Sequence, residues 1–408
     1  MLVQRRTGAG SYGGVVPDRL SEILPALRRR WASHSSPTLR PFAVSDGATG
    51  SEHGIGTGDP AFTIIVADDE GTRALASLDQ FAIAVAYLDG HLDVAGDLLA
   101  ALAMRGLFHD RHPLAYASRF VKPLLKGQVR SDRQFIASHY DLDNDFFLTF
   151  LDTRHRCYTH GLFERDDEKL EDAMTRKMDL ALDEIGVRPG DEVLEVGGGW
   201  GAFAEHAARR GIGVTTLTIS AESERFLVDL AAREDLPISV VKEHVYRYAP
   251  ARRFAAIVNM GVTEHLPDYP ATLTAYRRLL RPGGKIYLDA VAARAKHRVS
   301  TFMSRYIYPG NASPMVLQDY VRAAARSPFE LISVHEDRHN YFLTCRAWGE
   351  RLDAARGEIV RRWGEPLYRR FRLFLWGSAA GFAIGDVLAY RWVLQLPDPA
   401  TLVPPPSA

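Results

Sequence analysis

The chain has 408 residues, 46% hydrophobic and 25% charged, enough to bury the cores of two or three domains. Its 50 basic and 50 acidic side chains cancel, so there is no global positive field to favour nucleic acid as a partner. Two distant cysteines, Cys157 and Cys345, form no CxxC pair and argue against a disulfide framework, a pattern that fits a reducing cytoplasm.

The opening MLVQRRTGAGSYGG has no apolar h-region, so no secretory signal is expected, and residues 1–17 are expected to be flexible. DRLSEILPALRRRWA has the spacing of an amphipathic helix with a basic edge, and the Ser-, Gly-, Thr- and Pro-rich residues 33–60 suit loop or short strand. AFTIIVAD reads as a strand. The following ALASLDQFAIAVAYLDGHLDVAGDLLAALAMRG has helical spacing, broken near Asp89 and Gly90. Together these predict a small α+β domain over residues 18–125, ending in a basic, proline-containing connector.

From Asp191 strand and helix patterns alternate. VLEVGG, GVTTLTIS, ISVVKE, FAAIVNMG and KIYLDAV read as strands, and AFAEHAARR, AESERFLVDLAARE and ATLTAYRRLL as helices. Strands joined through single helices predict an α/β fold, a doubly wound, mostly parallel sheet, over residues 126–396. Near the end, LFLWGSAAGFAIGDVLAYRWVLQL is too interrupted, by Asp386 and Arg391, to span a bilayer. It reads as a buried core helix or a pair of helices, with an interfacial helix as the alternative. Residues 397–408 form a flexible tail.

The most informative segment is DEVLEVGGGWG. In a doubly wound sheet, ligands bind where the first strand turns into its helix. Gly197, Gly199 and Gly201 occupy that turn, where the lack of side chains lets backbone N–H groups approach a ligand. A glycine turn alone serves dinucleotide-binding proteins and methyltransferases alike. The second strand ends in Thr218, Ile219 and Ser220, with no acid before Glu222, which counts against the ribose-binding acid of an NAD site.

Four ordered segments, HYDLDNDFFLTFLD, VLEVGGGWG, LTIS and MGVTEHL, resemble the cyclopropane-fatty-acyl-phospholipid synthases and mycolic acid methyltransferases. RYIYPG and the Ala347–Trp348 pair support the likeness, which covers roughly residues 130–395. The resemblance implies a Rossmann-like class I methyltransferase that uses S-adenosyl-L-methionine. It implies cofactor contacts from Gly197, Gly199 and Gly201, from Thr218 and Ile219 beneath the ribose, and from Tyr140, Tyr158 and Thr159 closing over the cofactor. Tyr246 and Arg247 are expected at the adenine. The N-terminal part is similar, more weakly, to the family's small lipid-handling domain.

The family's reaction places a methyl carbon on an alkene, leaving a carbocation that aromatic faces can stabilise in a dry pocket. Tyr341, Phe342, Tyr306 and Tyr308 are candidates, and Tyr341 matches a family active-site position. The family's base is a bound bicarbonate, and two of the catalytic residues implied around it, Glu264 and Tyr341, are retained. The family's cysteine position reads His160, its histidine position reads Asp289, and its backbone contact falls on Val291. Asp289 would repel an anion unless it is paired, so bicarbonate stays open, with His160, Asp289 or both as replacements for it. No metal ligands are expected.

The expected activity is therefore methyl or methylene addition to the double bond of an unsaturated phospholipid acyl chain, with ring or branch open. A non-catalytic lipid-binding paralogue and a small-metabolite methyltransferase are the alternatives. The expected setting is cytoplasmic and peripheral at the inner membrane face, helped by the basic clusters LRRRW and YRRFR, with a homodimer allowed.

Overall fold

The computed structural model describes residues 19–36, 38–110, 112, 143–296, 299–308 and 313–401. The chain divides into two units between Asp97 and Leu98. The expected boundary near residue 125 lies outside the described residues, as does most of the connector before it.

The first unit carries α1 (Leu24–Ser33) and a sheet of β1 (Phe42–Asp46), β2 (Glu52–Ile55), β3 (Phe62–Val66) and β4 (Leu92–Gly96), in the order β2-β1-β3-β4. Helices α2 (Asp69–Ala76) and α3 (Gln80–Leu88) lie between β3 and β4. Each starts at an aspartate whose carboxylate accepts a first-turn N–H, Asp68 from Gly71 and Asp79 from Ala82. The helical spacing expected across residues 74–106, broken near Asp89 and Gly90, holds to Leu88 and resumes only at Leu98. Beyond the turn at Asp89–Gly90, Leu92–Gly96 pairs antiparallel with β3 instead. Five residues before a glycine at φ 88° are too few for a stable helix, while the edge of β3 needs a partner.

In the second unit α4 (Leu98–Ala103), which the sequence reading placed in the small domain, packs on α13 (Glu365–Ala383). The sheet contains β5 (Glu192–Val196), β6 (Gly213–Thr218), β7 (Ile238–Lys242), β8 (Phe254–Met260), β9 (Leu280–Ala292), β10 (Glu330–Glu336) and β11 (Leu388–Gln395). Its order is β10-β11-β9-β8-β5-β6-β7. Strands β7, β6, β5, β8 and β9 run parallel, whereas β11 is antiparallel to both β9 and β10. The crossovers are α7 (Ala202–Ala208), α8 (Ala221–Arg233) and α9 (Tyr269–Leu279). Helix α10 (Leu317–Ala325) precedes β10, and α11 (Arg338–Ala354) and α12 (Arg356–Trp363) lead to α13.

Side chains alternate across this sheet, as the two-residue repeat of a strand requires. Val193, Val258 and Tyr287 point into one core with Phe147, Met178 and Phe371, while Leu194, Ile257 and Leu288 point into the other with Tyr276 and Trp392. Helices α5 (Asn144–Leu148) and α6 (Leu170–Ile185) join the first core. The late apolar run is not a pair of helices: α13 ends at Ala383, Gly385 turns at φ 74°, and LAYRWVLQ enters the sheet as β11. Its aromatic and branched side chains fill both faces there.

Candidate active site

A cleft opens at the carboxyl ends of β5, β6 and β8. It is lined by Gly197–Trp200, Thr218–Ser220, Glu243–Val245, Met260–Val262 and the loop Arg156–Thr159. The glycines have separable reasons. A Cβ on Gly197 would meet Val262 Cγ2 at 2.3 Å, and one on Gly198 would meet Thr216 Oγ1 at 2.1 Å, so both positions serve close packing of the turn. Gly201, at φ 80°, caps α7 with Leu230 2.7 Å from its missing Cβ. Gly199 differs, because at φ 50° its missing Cβ has no neighbour within 4 Å. It presents bare backbone to open space, and Ser223 Oγ ties its carbonyl at 2.7 Å.

Two segments far apart in sequence meet at this turn. Trp200 Nε1 donates to Asn144 Oδ1 at 2.8 Å, and the Trp200 ring packs on Phe147 at 4.8 Å and Tyr158 at 5.8 Å. Beneath the turn, burial pushes the Glu195 carboxyl up to about 7, against a hydrogen bond from Thr216. Thr218, Ile219, Tyr158 and Thr159 line the cleft together with Gly197 and Gly199, whereas Gly201 does not. Tyr140 lies outside the described residues. Tyr246 and Arg247 are not among the lining residues: Tyr246 turns to the Thr272 hydroxyl at 2.8 Å, and Glu243, His244 and Val245 take the wall instead.

Behind the cleft lies a fully enclosed group of polar side chains. Glu264 sits in a tight turn, Thr263–His265, after β8, and its Oε1 accepts the Val291 N–H at 2.5 Å. Its Oε2 is buried with no hydrogen-bond partner. Burial pushes this carboxyl up to about 8; Asp289 adds to the rise, while the backbone hydrogen bonds and Lys177 oppose it. Tyr341 stacks on Phe382 at 4.5 Å and lies 4.9 Å from the His160 ring. Burial holds its hydroxyl well above the usual tyrosine range.

His160 does not reach Asp289. Its Nε2 lies 3.3 Å from Asp337 Oδ2, and Arg391 Nη1 holds that aspartate at 3.0 Å. Burial would raise the Asp337 carboxyl, but the His160 and Arg391 partners outweigh it and keep it low. Asp289 is itself paired, with Oδ2 2.6 Å from Lys177 Nζ and both side chains fully buried. Lys177 also donates to Thr159 Oγ1. Of the aromatic candidates, Tyr306 and Tyr308 pack at the edge of this core, with Tyr308 edge-on to Phe374 at 6.1 Å. Phe342 lies beside His339 and Arg346, near the protein exterior.

Sequence reasoning missed Lys177, Asp337, Gly198 and the Glu243–Val245 wall. Lys177 had a legible signal: it stands at the i+3 position from Met174 and i+7 from Leu170, inside the buried stripe of α6. A lysine there requires a buried partner.

A family model described as mycolic acid cyclopropane synthetase matches residues 128–392. A tuberculostearic acid methyltransferase of Mycobacterium tuberculosis is 29% identical over 276 residues, 64% of this chain and 65% of that protein. The cyclopropane-fatty-acyl-phospholipid synthase of Escherichia coli is 28% identical over 263 residues, covering 63% and 66%. The chain thus spans about two thirds of the length of these relatives. Among solved structures, mycolic acid cyclopropane synthase CmaA1 complexed with SAH and CTAB superposes with a TM-score of 0.59 at 27% identity, covering 64% of this chain and 96% of that one.

Proposed function

Because the chain belongs to the mycolic acid cyclopropane synthetase family, we propose that it is a methyltransferase adding a methyl or methylene carbon to the double bond of an unsaturated fatty acyl chain of a phospholipid. The observation that carries this reading is the continuity of one loop. Tyr158 and Thr159 line the glycine cleft, Thr159 accepts from the Lys177 that pairs with Asp289, and the next residue, His160, lies buried beside Tyr341. The donor cleft and the buried polar group thereby share this loop.

S-adenosyl-L-methionine fits the cleft, whose turn exposes the Gly199 backbone to open space and whose second strand offers Thr218. When bound, it supplies an electrophilic methyl group. The chain's own residues then orient the alkene, exclude water and accept a proton. The aromatic faces of Tyr341 and Tyr308 suit a cation on the acyl chain. Ring closure needs a base: the electrons of a C–H bond of the new methyl group form the C–C bond, and the proton passes to a carboxylate. A carboxyl poised near 8, with one oxygen unpartnered, suits Glu264 to that transfer.

Bicarbonate does not fit these residues. The Val291 amide is engaged by Glu264, and Asp289 already supplies a carboxylate paired with Lys177. No step is assigned to it.

Contact with the inner face of the membrane is part of the proposal. Within YRRFR, Arg369 is paired with Glu365 at 3.2 Å and Arg372 with Asp353 at 3.1 Å, while half-buried Arg370, beside Tyr306, has no acidic partner among the described residues. No helix among the described residues is long and apolar enough to cross a membrane.

Mass spectrometry of host lipids after expression tests the function. A gain of one CH2 per unsaturated acyl chain is expected, with fragmentation separating ring from branch. An unchanged lipid profile alongside S-adenosylhomocysteine release on small metabolites would replace the lipid reading.

A further inference from the structure

The Lys177 ammonium is fully enclosed, on a helix face it shares with Met174 and Met178. Exchanging a buried ion pair for apolar side chains of similar volume is commonly neutral or stabilising, so packing gives no reason to keep one. Its position offers a reason. Lys177 Nζ reaches Asp289 Oδ2 at 2.6 Å on one side and the Thr159 hydroxyl on the other. Thr159 is part of the cleft wall. Asp289 ends the described parallel run of β9 against β8, and its carbonyl accepts the N–H of Gly261, three residues before Glu264, at 3.2 Å. A Cβ on Gly261 would lie 2.4 Å from Thr159 Cγ2, so the loop bearing Glu264 and the loop bearing Thr159 are pressed together at that point.

Resting on the methyltransferase reading above, we propose that Lys177 is a positioning residue that couples the two halves of the site. It fixes the Thr159 wall of the donor cleft and, through Asp289, the carboxylate group that receives the proton. The pair also makes the pocket neutral as a unit. A cation forming on the acyl chain then faces a compensated ammonium rather than a bare one, and the anionic partner that proton removal requires belongs to the chain. Proton removal breaks one C–H bond of the acyl chain, its electron pair stays in the product as the new ring or double bond, and the proton rests on a carboxylate of the Glu264–Asp289 group before leaving to water.

The test is a cycle of Lys177→Met, Asp289→Asn and the double variant, assayed on vesicles of unsaturated phosphatidylglycerol. S-adenosylhomocysteine release and lipid product are followed separately. Each single variant strands a buried charge and is expected to lose folded protein. The double variant restores neutrality and should melt near wild type. In it, the KM for S-adenosyl-L-methionine should rise at least about threefold as the Thr159 wall loosens, while product that has lost its proton falls about a hundredfold. Cations that water captures instead would leave as hydroxylated methyl-branched chains. A folded double variant that yields the wild-type product at the wild-type rate overturns the proposal and reduces the pair to structure. If wild-type protein itself releases no S-adenosylhomocysteine with any unsaturated lipid, the proposed function falls, and this inference falls with it.

Discussion

At the scale of single residues, the glycine turn and the buried carboxyl make separate predictions. Gly199→Val adds a branched side chain where nothing in the protein opposes it, at a left-handed conformation that costs an L-residue about 1–2 kcal/mol. The expected outcome is a folded protein whose S-adenosyl-L-methionine affinity, by calorimetry, falls at least about tenfold. Gly198→Val should instead fail to fold, because its Cβ would strike Thr216. Glu264→Gln keeps the Val291 hydrogen bond but cannot take a proton, so product formation should fall with little change in cofactor affinity. Stability gives a second readout. The carboxyl rises from 4.5 to about 8 on folding, so its stabilising contribution is full below 4.5, declines as pH rises, and is gone by about 8. Thermal melts should show Glu264→Gln gaining on wild type across that window, and parallel curves would contradict the buried placement. The glycines stood out by residue type, whereas Glu264 and Tyr341 were singled out through the family resemblance of the segments that carry them. Lys177 carried a signal, its place in the buried stripe of the helix, but its role was not readable because the partner that explains it lies 112 positions away at Asp289.

At the scale of elements, α6 and the loop before it meet α7 through two buried histidines. His155 Nε2 lies 2.8 Å from Thr175 Oγ1 and His206 Nε2 lies 2.8 Å from Asp179 Oδ1, with the rings edge to face at 5.3 Å. Burial lowers both from 6.5, helped by Arg154 and Arg156 on one side and Arg210 on the other, and opposed by Asp152, Asp179 and Glu205. Depressed histidines favour the neutral form, so their contribution is present above about 6.5 and lost as pH falls below it. His206→Gln should therefore blunt the acid loss of stability, checked by melting temperature against pH. A variant as acid-sensitive as wild type would remove the pair from the account. The parallel strands and their helices were readable from period and caps. β4 and β11 were not, because five to eight apolar residues beside a helical run share its composition, and only an open strand edge decides their state.

At the scale of the whole molecule, zero net charge hides local asymmetry, and ion pairing decides which cations remain for a membrane. Arg370→Gln should weaken co-sedimentation with anionic vesicles by about 1 kcal/mol, roughly fivefold, and added salt should erase the difference. Arg369→Gln, already paired with Glu365, should change binding less. Equal losses from both would show that pairing does not govern the surface. The order β10-β11-β9 has a further consequence for assembly of the sheet. Among the described strands of this sheet β11 comes latest in sequence, yet it fills an interior slot, and its Arg391 holds the Asp337 that faces His160. A chain lacking residues 388–395 has β9 as an open edge and Asp337 without its arginine. A chain cut before Leu388 is thus expected to stay protease-sensitive, and supplying residues 388–395 as a separate peptide should restore protection only if β11 can enter its slot between β9 and β10 after the rest has folded.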